Sequence, residues 1–106
     1  MEPKIERGEV WLVDLGTIAK IRPCLVMSVA PQSQERVVAA LVSHTTAVRS
    51  TRFEVSITKP FLKAGAFDAQ GLVTVPIVKF IRKLGKLTPE ELRSVEGSVK
   101  LWLGLD

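Results

Sequence analysis

Apolar residues recur along this chain at two different periods, and the change of period divides it. Up to about residue 84 they fall in short runs broken by glycine, proline and hydroxyl residues, which is the pattern of strands and turns. The run at residues 9–15, between Gly8 and Gly16, predicts a first strand. Residues 23–29 predict a second, mostly buried, ending before Ala30-Pro31, and residues 36–42 a third. Residues 51–57 alternate with period two, placing Phe53, Val55 and Ile57 on one face. A short fifth strand is expected at 72–75, stopped by Pro76, which cannot donate to a ladder. A further extended segment is expected at 77–84, and residues 60–67 suggest a single helical turn.

After residue 87 the spacing becomes helical. Thr88 suits an N-cap, Pro89 the first helical position, and Glu91 completes a Thr-x-x-Glu capping box. Leu92, Val95, Val99, Trp102 and Leu103 form one stripe, read as core, and Gly104 suits the stop. Five or six short strands followed by one helix predict a mainly β fold: a small barrel or strongly bent sheet with the helix over one face or end. No repeat or linker divides the sequence, so one domain is expected over residues 1–106.

Composition narrows the class. A hydrophobic content of 46% argues against disorder. No apolar run reaches the ~20 residues of a membrane span, and the charged first residues lack a signal region. A cytoplasmic protein is expected. The single cysteine, Cys24, excludes an intrachain disulfide and a multi-cysteine zinc site. With His44 the only histidine, no metal or cofactor is expected. Cys24 lies in an apolar run and is read as a small core residue. Charge is uneven. Residues 15–86 carry a balance of +8, while residues 1–14 and 87–106 carry −2 each. A basic middle in a chain of pI near 9.6 suggests a polyanionic partner.

Common catalytic motifs are absent: no phosphate-binding loop, no Gly-x-Ser-x-Gly and no His-Glu-x-x-His occur. Carboxylates are sparse in the basic middle, so phosphate chemistry would fall to cations, hydroxyls and His44. Two loops gather such groups. In the first, Lys20-Ile21-Arg22-Pro23, a guanidinium suited to phosphate directly precedes a strand. Pro23 holds Arg22 in an extended conformation. The second, residues 43–52, contains Ser43, His44, Thr45, Thr46, Arg49 and Arg52.

These residues carry a resemblance. Arg7-Gly8-Glu9-Val10-Trp11-Leu12-Val13-Asp14-Leu15 is similar to the opening strand of the MazF/PemK family of type II toxins. Arg22-Pro23-Cys24-Leu25-Val26 resembles that family's Arg-Pro-x-Leu-Val strand. Thr45-Thr46 followed by Phe53-Glu54-Val55 resembles its threonine loop and next strand, and Gly71-Leu72-Val73, Val78-Lys79 and Leu84-Gly85-Lys86-Leu87 follow in order. The resemblance implies an SH3-like barrel with added helices, the MazF/CcdB-like toxin fold, assembled as a homodimer. It implies a sequence-selective endoribonuclease that cleaves single-stranded RNA without metal, through 2′-hydroxyl attack. The products would be a 2′,3′-cyclic phosphate and a 5′-hydroxyl. An acidic cognate antitoxin would block the basic groove.

Carried onto this sequence, Arg22 matches the catalytic arginine and would stabilise the phosphorane. Thr45 matches the loop threonine and would hold a phosphate oxygen, with Thr46 assisting or contacting a base. Lys20, Arg49 and Arg52 are expected to guide the RNA backbone, and Phe53 is read as core. Two positions depart from the family: Thr17 and Pro76 stand where some members carry carboxylates. His44 then becomes a candidate general acid or base, the alternative being a histidine hydrogen-bonded at a strand end. The missing carboxylates also keep open a non-catalytic inhibitor on the same fold, in the manner of the related gyrase-poisoning toxins.

Overall fold

Which strand ends carry the candidate residues depends on where each strand begins and how it pairs. A computed structural model describes residues 3–16, 18 and 20–105. It contains β1 (Glu9–Asp14), β2 (Ile21–Val26), β3 (Val38–Thr45), β4 (Glu54–Val55), β5 (Ala66–Pro76), β6 (Phe80–Lys86) and α1 (Pro89–Leu103). The strands form one antiparallel sheet in the order β4-β5-β3-β2-β1-β6. This is the mainly β fold with a C-terminal helix that the apolar pattern predicts. The order does not return on itself, so the sheet is open, with β4 and β6 as edges.

Several boundaries differ from the sequence pattern, each for a physical reason. β2 starts at Ile21 because the ladder to β1 continues through Val13↔Arg22 and Asp14↔Ile21. Both residues are exposed, so burial gave no sign of them. β3 runs on to Thr45 through His44↔Phe67 and Thr45↔Ala66. The expected fourth strand shrinks to two residues, although Phe53 and Ile57 are buried. β5 is eleven residues long and starts at Ala66, inside the expected helical turn. What remains of that turn is a hydrogen bond from Leu62 N–H to the Lys59 carbonyl, 3.1 Å. After Pro76 ends the ladder, Ile77–Lys79 makes a 3-10 turn, so the last strand starts at Phe80.

Alternation along β1, β2 and β3 divides their side chains between two cores. Trp11, Val13, Cys24, Val26 and Leu41 pack on one face, and Val10, Leu25 and Val42 on the other with Phe67 of β5 and Val95 of α1. Both faces are covered, which is why these strands read as apolar runs. The capping box at α1 is formed: the Thr88 hydroxyl accepts from Glu91 N–H, and the Glu91 carboxylate accepts from Thr88 N–H. Gly104 closes the helix in the left-handed region, at φ +70°. The stripe is core only through Val99. Trp102 and Leu103 are 43% and 49% exposed, because the last turn lies beyond the second core, where Trp102 meets the edge of the Phe53 ring. No helix of the described residues is long and apolar enough to cross a membrane.

Candidate active site

The hairpin joining β1 to β2 sets the position of the first candidate group. The Asp14 carboxylate accepts from Gly16 N–H at 2.9 Å. Leu15 N–H donates to the Lys20 carbonyl at 2.9 Å, and Lys20 N–H to that of Gly16 at 2.7 Å. Lys20 takes a left-handed φ of +61°, which costs a non-glycine residue roughly 1–2 kcal/mol. The turn thus presents Lys20 beside the start of β2, where Arg22 stands opposite Val13. Thr17 lies outside the described residues. Two residues after Arg22, Cys24 is fully buried, and burial pushes its thiol up to about 12. It is a core residue and supplies no thiolate.

The end of β3 supplies the next groups. His44 and Thr45 belong to this strand, not to a loop. The Thr45 hydroxyl accepts from Ala47 N–H at 3.0 Å, which leaves its O–H free to donate to an anion. Residue 65 passes so close that a Cβ there would sit 2.1 Å from the Thr45 carbonyl oxygen and 2.7 Å from His44 Cε1. Only glycine permits that approach. His44 is 3% exposed, edge-on to the Phe67 ring at 5.1 Å. Burial pushes its pKa down, so the ring is neutral at pH 7. Its Nε2 has no hydrogen-bond partner, unlike the hydrogen-bonded histidine weighed from the sequence.

These two strand ends meet at a cavity of about 400 Å³. Lys20, Arg22, His44 and Thr46 line it together. Two further cations line it that the sequence pattern did not single out, Lys63 and Arg82. Arg82 was legible in principle, since it pairs with Leu12 across the β1–β6 ladder. Lys63 had no signal beyond its charge, as it arrives through the turn at 59–62. Arg22 also lines a second cavity of about 450 Å³, with Asp14, Ser43 and Pro76.

Thr45, Arg49 and Arg52 lie outside the first cavity. Thr45 flanks it in the chain, between His44 and Thr46. The loop after β3 is held by the Glu54 carboxylate, which accepts from Arg49 N–H at 2.9 Å and Thr51 N–H at 2.7 Å. Those bonds hold Glu54 below the usual carboxylate range. Arg52 stacks over Phe53, its Cζ 4.6 Å from the ring centroid. Phe53 is buried, as expected of a core residue. Among the described residues no three His, Cys, Asp or Glu side chains cluster as metal ligands do.

Comparison with known proteins extends this picture. Residues 6–103 match the family model of the PemK-like, MazF-like toxin of type II toxin–antitoxin systems. The chain superposes on an endoribonuclease from a mycobacterial species, solved with its cognate antitoxin, with a TM-score of 0.83. That likeness has 23% identity and covers 97% of this chain and 98% of that one. It is also similar to MazF solved with MazE from Deinococcus radiodurans (TM-score 0.80, 18% identity, 100% and 99% covered). For the Mycobacterium tuberculosis toxin MazF-mt6 the values are 0.79, 18%, 92% and 98%. At these identities the structural likeness establishes the fold.

Proposed function

The chain belongs to the PemK-like, MazF-like toxin family of type II toxin–antitoxin systems, and from that premise we propose that it is an endoribonuclease acting on single-stranded RNA. The observation that carries the reading is the meeting of Lys20, Arg22, His44 and Thr46 at one cavity, with Lys63 and Arg82 beside them. The family match over residues 6–103 supports reading the chain as one toxin domain.

RNA brings its own nucleophile, so the protein need only orient the phosphate and neutralise charge. The 2′-oxygen bonds to phosphorus and the bond from phosphorus to the 5′-oxygen breaks. One proton leaves the 2′-hydroxyl and one joins the departing 5′-oxygen, giving a 2′,3′-cyclic phosphate and a 5′-hydroxyl. Arg22 neutralises the phosphorane through its planar fork of donors. The Thr45 hydroxyl holds a phosphate oxygen, with Thr46 beside it. Lys20, Lys63 and Arg82 take neighbouring phosphates, and Arg49 and Arg52 extend the basic surface. These groups supply the needed charge without a metal. An acidic cognate antitoxin would compete for the same cations, and a homodimer would bring two such cavities together.

The test is cleavage of a long mixed-sequence RNA in EDTA, wild type beside Arg22→Ala. Discrete fragments with 5′-hydroxyl ends from wild type alone are the expected result. Intact RNA with both folded proteins, together with retained RNA binding, would transfer the reading to a non-catalytic inhibitor. The observation that favours this second reading is Pro76, which brings no carboxylate to the cavity it shares with Arg22, where the one carboxylate, Asp14, already accepts from Gly16 N–H.

A further inference from the structure

The loop between β3 and β4 is braced by a carboxylate that neither the sheet nor the basic surface calls for. Glu54 opens β4 and stands opposite Asp68 of β5 in the ladder. Like charges directly opposite each other destabilise a strand pair, so strand pairing does not favour an acid here. A carboxylate beside Arg49 and Arg52 also lowers the attraction of this surface for a polyanion. What Glu54 does is bind the loop. Its Oε2 accepts from Arg49 N–H at 2.9 Å and its Oε1 from Thr51 N–H at 2.7 Å. Between those two donors lies Ser50, at a left-handed φ of +56°. That conformation is disfavoured for a residue with a Cβ and persists only where its surroundings fix it. The mount is firm, because Ala69 N–H donates to the Phe53 carbonyl at 2.9 Å and Val55 pairs with Phe67.

The loop so held runs past the candidate site. Thr46, at its start, lines the cavity that holds Arg22. Val48 lines a separate cavity of about 380 Å³ with Ile57 and Lys63. Lys63 belongs to both cavities, so the stretch from Thr46 to Val48 passes from one to the other. The next residue is Arg49, whose N–H Glu54 binds.

We propose that Glu54 is a positioning residue for RNA: by tying down the N–H groups on either side of the left-handed Ser50, it fixes the course of the loop and so the placement of Thr46, Arg49 and Arg52 along the RNA backbone. The inference rests on the endoribonuclease reading and deepens it. Glu54 touches neither the phosphate nor the reacting atoms and acts only through the loop. Its charge opposes RNA, but the order it imposes outweighs that repulsion, since a loop already ordered loses less freedom on binding.

The two effects have opposite signs, which makes the proposal testable. The experiment is steady-state cleavage of one labelled single-stranded RNA by wild type, Glu54→Ala, Glu54→Gln and the double variant Glu54→Gln with Ser50→Gly. Glutamine keeps the size of the side chain but accepts through one oxygen only. Both single variants should raise KM by about threefold to tenfold, the worth of one net hydrogen bond. Their kcat should change by less than about twofold, as when an interaction shared by ground state and transition state is removed. Glycine adopts a positive φ without steric cost, so Ser50→Gly should bring the KM of Glu54→Gln back toward wild type. A KM that falls in Glu54→Gln would make Glu54 a repelling charge and overturn the proposal. So would an unchanged KM, with or without a lower kcat, which is the mark of a role in folding alone. A raised KM that Ser50→Gly leaves in place would overturn it too, because Glu54 would then contact RNA directly. Should Glu54→Ala not fold, Glu54→Gln and its double variant decide by the same criteria. If wild type cleaves nothing, the endoribonuclease reading fails on its own. Dissociation constants for the same RNA, measured by anisotropy, then replace KM, with the same directions expected and the same reversals overturning the proposal.

Discussion

Glu9 and His44 are the buried polar side chains among the described residues, 5% and 3% exposed, and they sit at opposite ends of the central strands. Their surroundings differ in kind. One Glu9 oxygen accepts from Trp11 Nε1–H and Glu6 N–H, both at 2.9 Å, and the other pairs with Lys83 at 2.9 Å. Burial pushes the Glu9 pKa up, but these hydrogen bonds outweigh it and hold the carboxyl below its ordinary range. His44 Nε2 is buried with no such partner, in a residue that lines a cavity together with Lys20, Arg22, Lys63 and Arg82. A buried group whose bonds are all made within the fold holds the fold together. One whose bond is left open does not. The comparison separates a polar group closed within the fold from one left open.

The largest effect that tests this division is at the open end. Arg22→Ala should lower RNA cleavage by about 10²–10³-fold, as removal of a transition-state charge partner does elsewhere. Its melting temperature should stay within a few degrees of wild type, since the Arg22 side chain is exposed. A variant that loses stability as much as activity would place Arg22 with Glu9 and break the comparison.

At the closed end the signs reverse. Glu9→Ala strands the Trp11 N–H and the Glu6 N–H and removes the partner of Lys83. Orphaning the buried Trp11 donor costs about 1–3 kcal/mol, and the part-buried Glu6 N–H less. The ion pair adds little, because Lys83 is half exposed and screened by solvent. A loss of about 2–4 kcal/mol in urea unfolding is expected, with cleavage unchanged at a temperature where the variant is folded. Cleavage that falls at that temperature would show that the two ends are coupled.

The same contrast explains what was legible in the sequence. Helix α1 was readable because its start signal is local: Thr88, Pro89 and Glu91 lie within four residues. The strands were readable where burial is strong, as at Val10 or Leu25, and unreadable where it is not. Ile21 and Arg22 pair with β1 while exposed, so only the ladder reveals that Arg22 is a strand residue. The site was half legible. Arg22, Lys20, His44 and Thr46 come together as a motif-based reading requires. Lys63 and Arg82 join them through a turn and an edge strand far away in sequence. Arg52 could not be placed from charge alone, because a neighbouring aromatic ring captures it.

A smaller effect checks that local polar closure stabilises wherever it occurs. In α1 the capping box satisfies two backbone donors, and Glu91 also pairs with Lys59 at 2.7 Å. Thr88→Ala should cost about 1 kcal/mol, read by urea unfolding, and leave cleavage intact. No measurable loss would mean that water replaces the hydroxyl at no cost, and that exposed closure is worth less than buried closure.

The smallest effect separates Glu9 from His44 by pH alone. The folded His44 pKa lies below its unfolded value of 6.5. Its neutral form therefore contributes stability in full above 6.5, and that contribution is lost as pH falls toward the folded pKa. Glu9 is also depressed in the fold, from 4.5. Its stabilisation is present above that value and is lost as pH falls further through its folded pKa. The two groups thus act in separate windows, His44 just below neutrality and Glu9 in acid. Between pH 7 and 5.5, wild type should lose stability with a slope of at most about 1.4 kcal/mol per pH unit, and His44→Leu should lose that slope. Urea unfolding of both proteins across that range provides the measurement. Parallel curves would mean that His44 titrates alike folded and unfolded. The imidazole would then be reached by water, and His44 would not be the dry, open-bonded counterpart of Glu9.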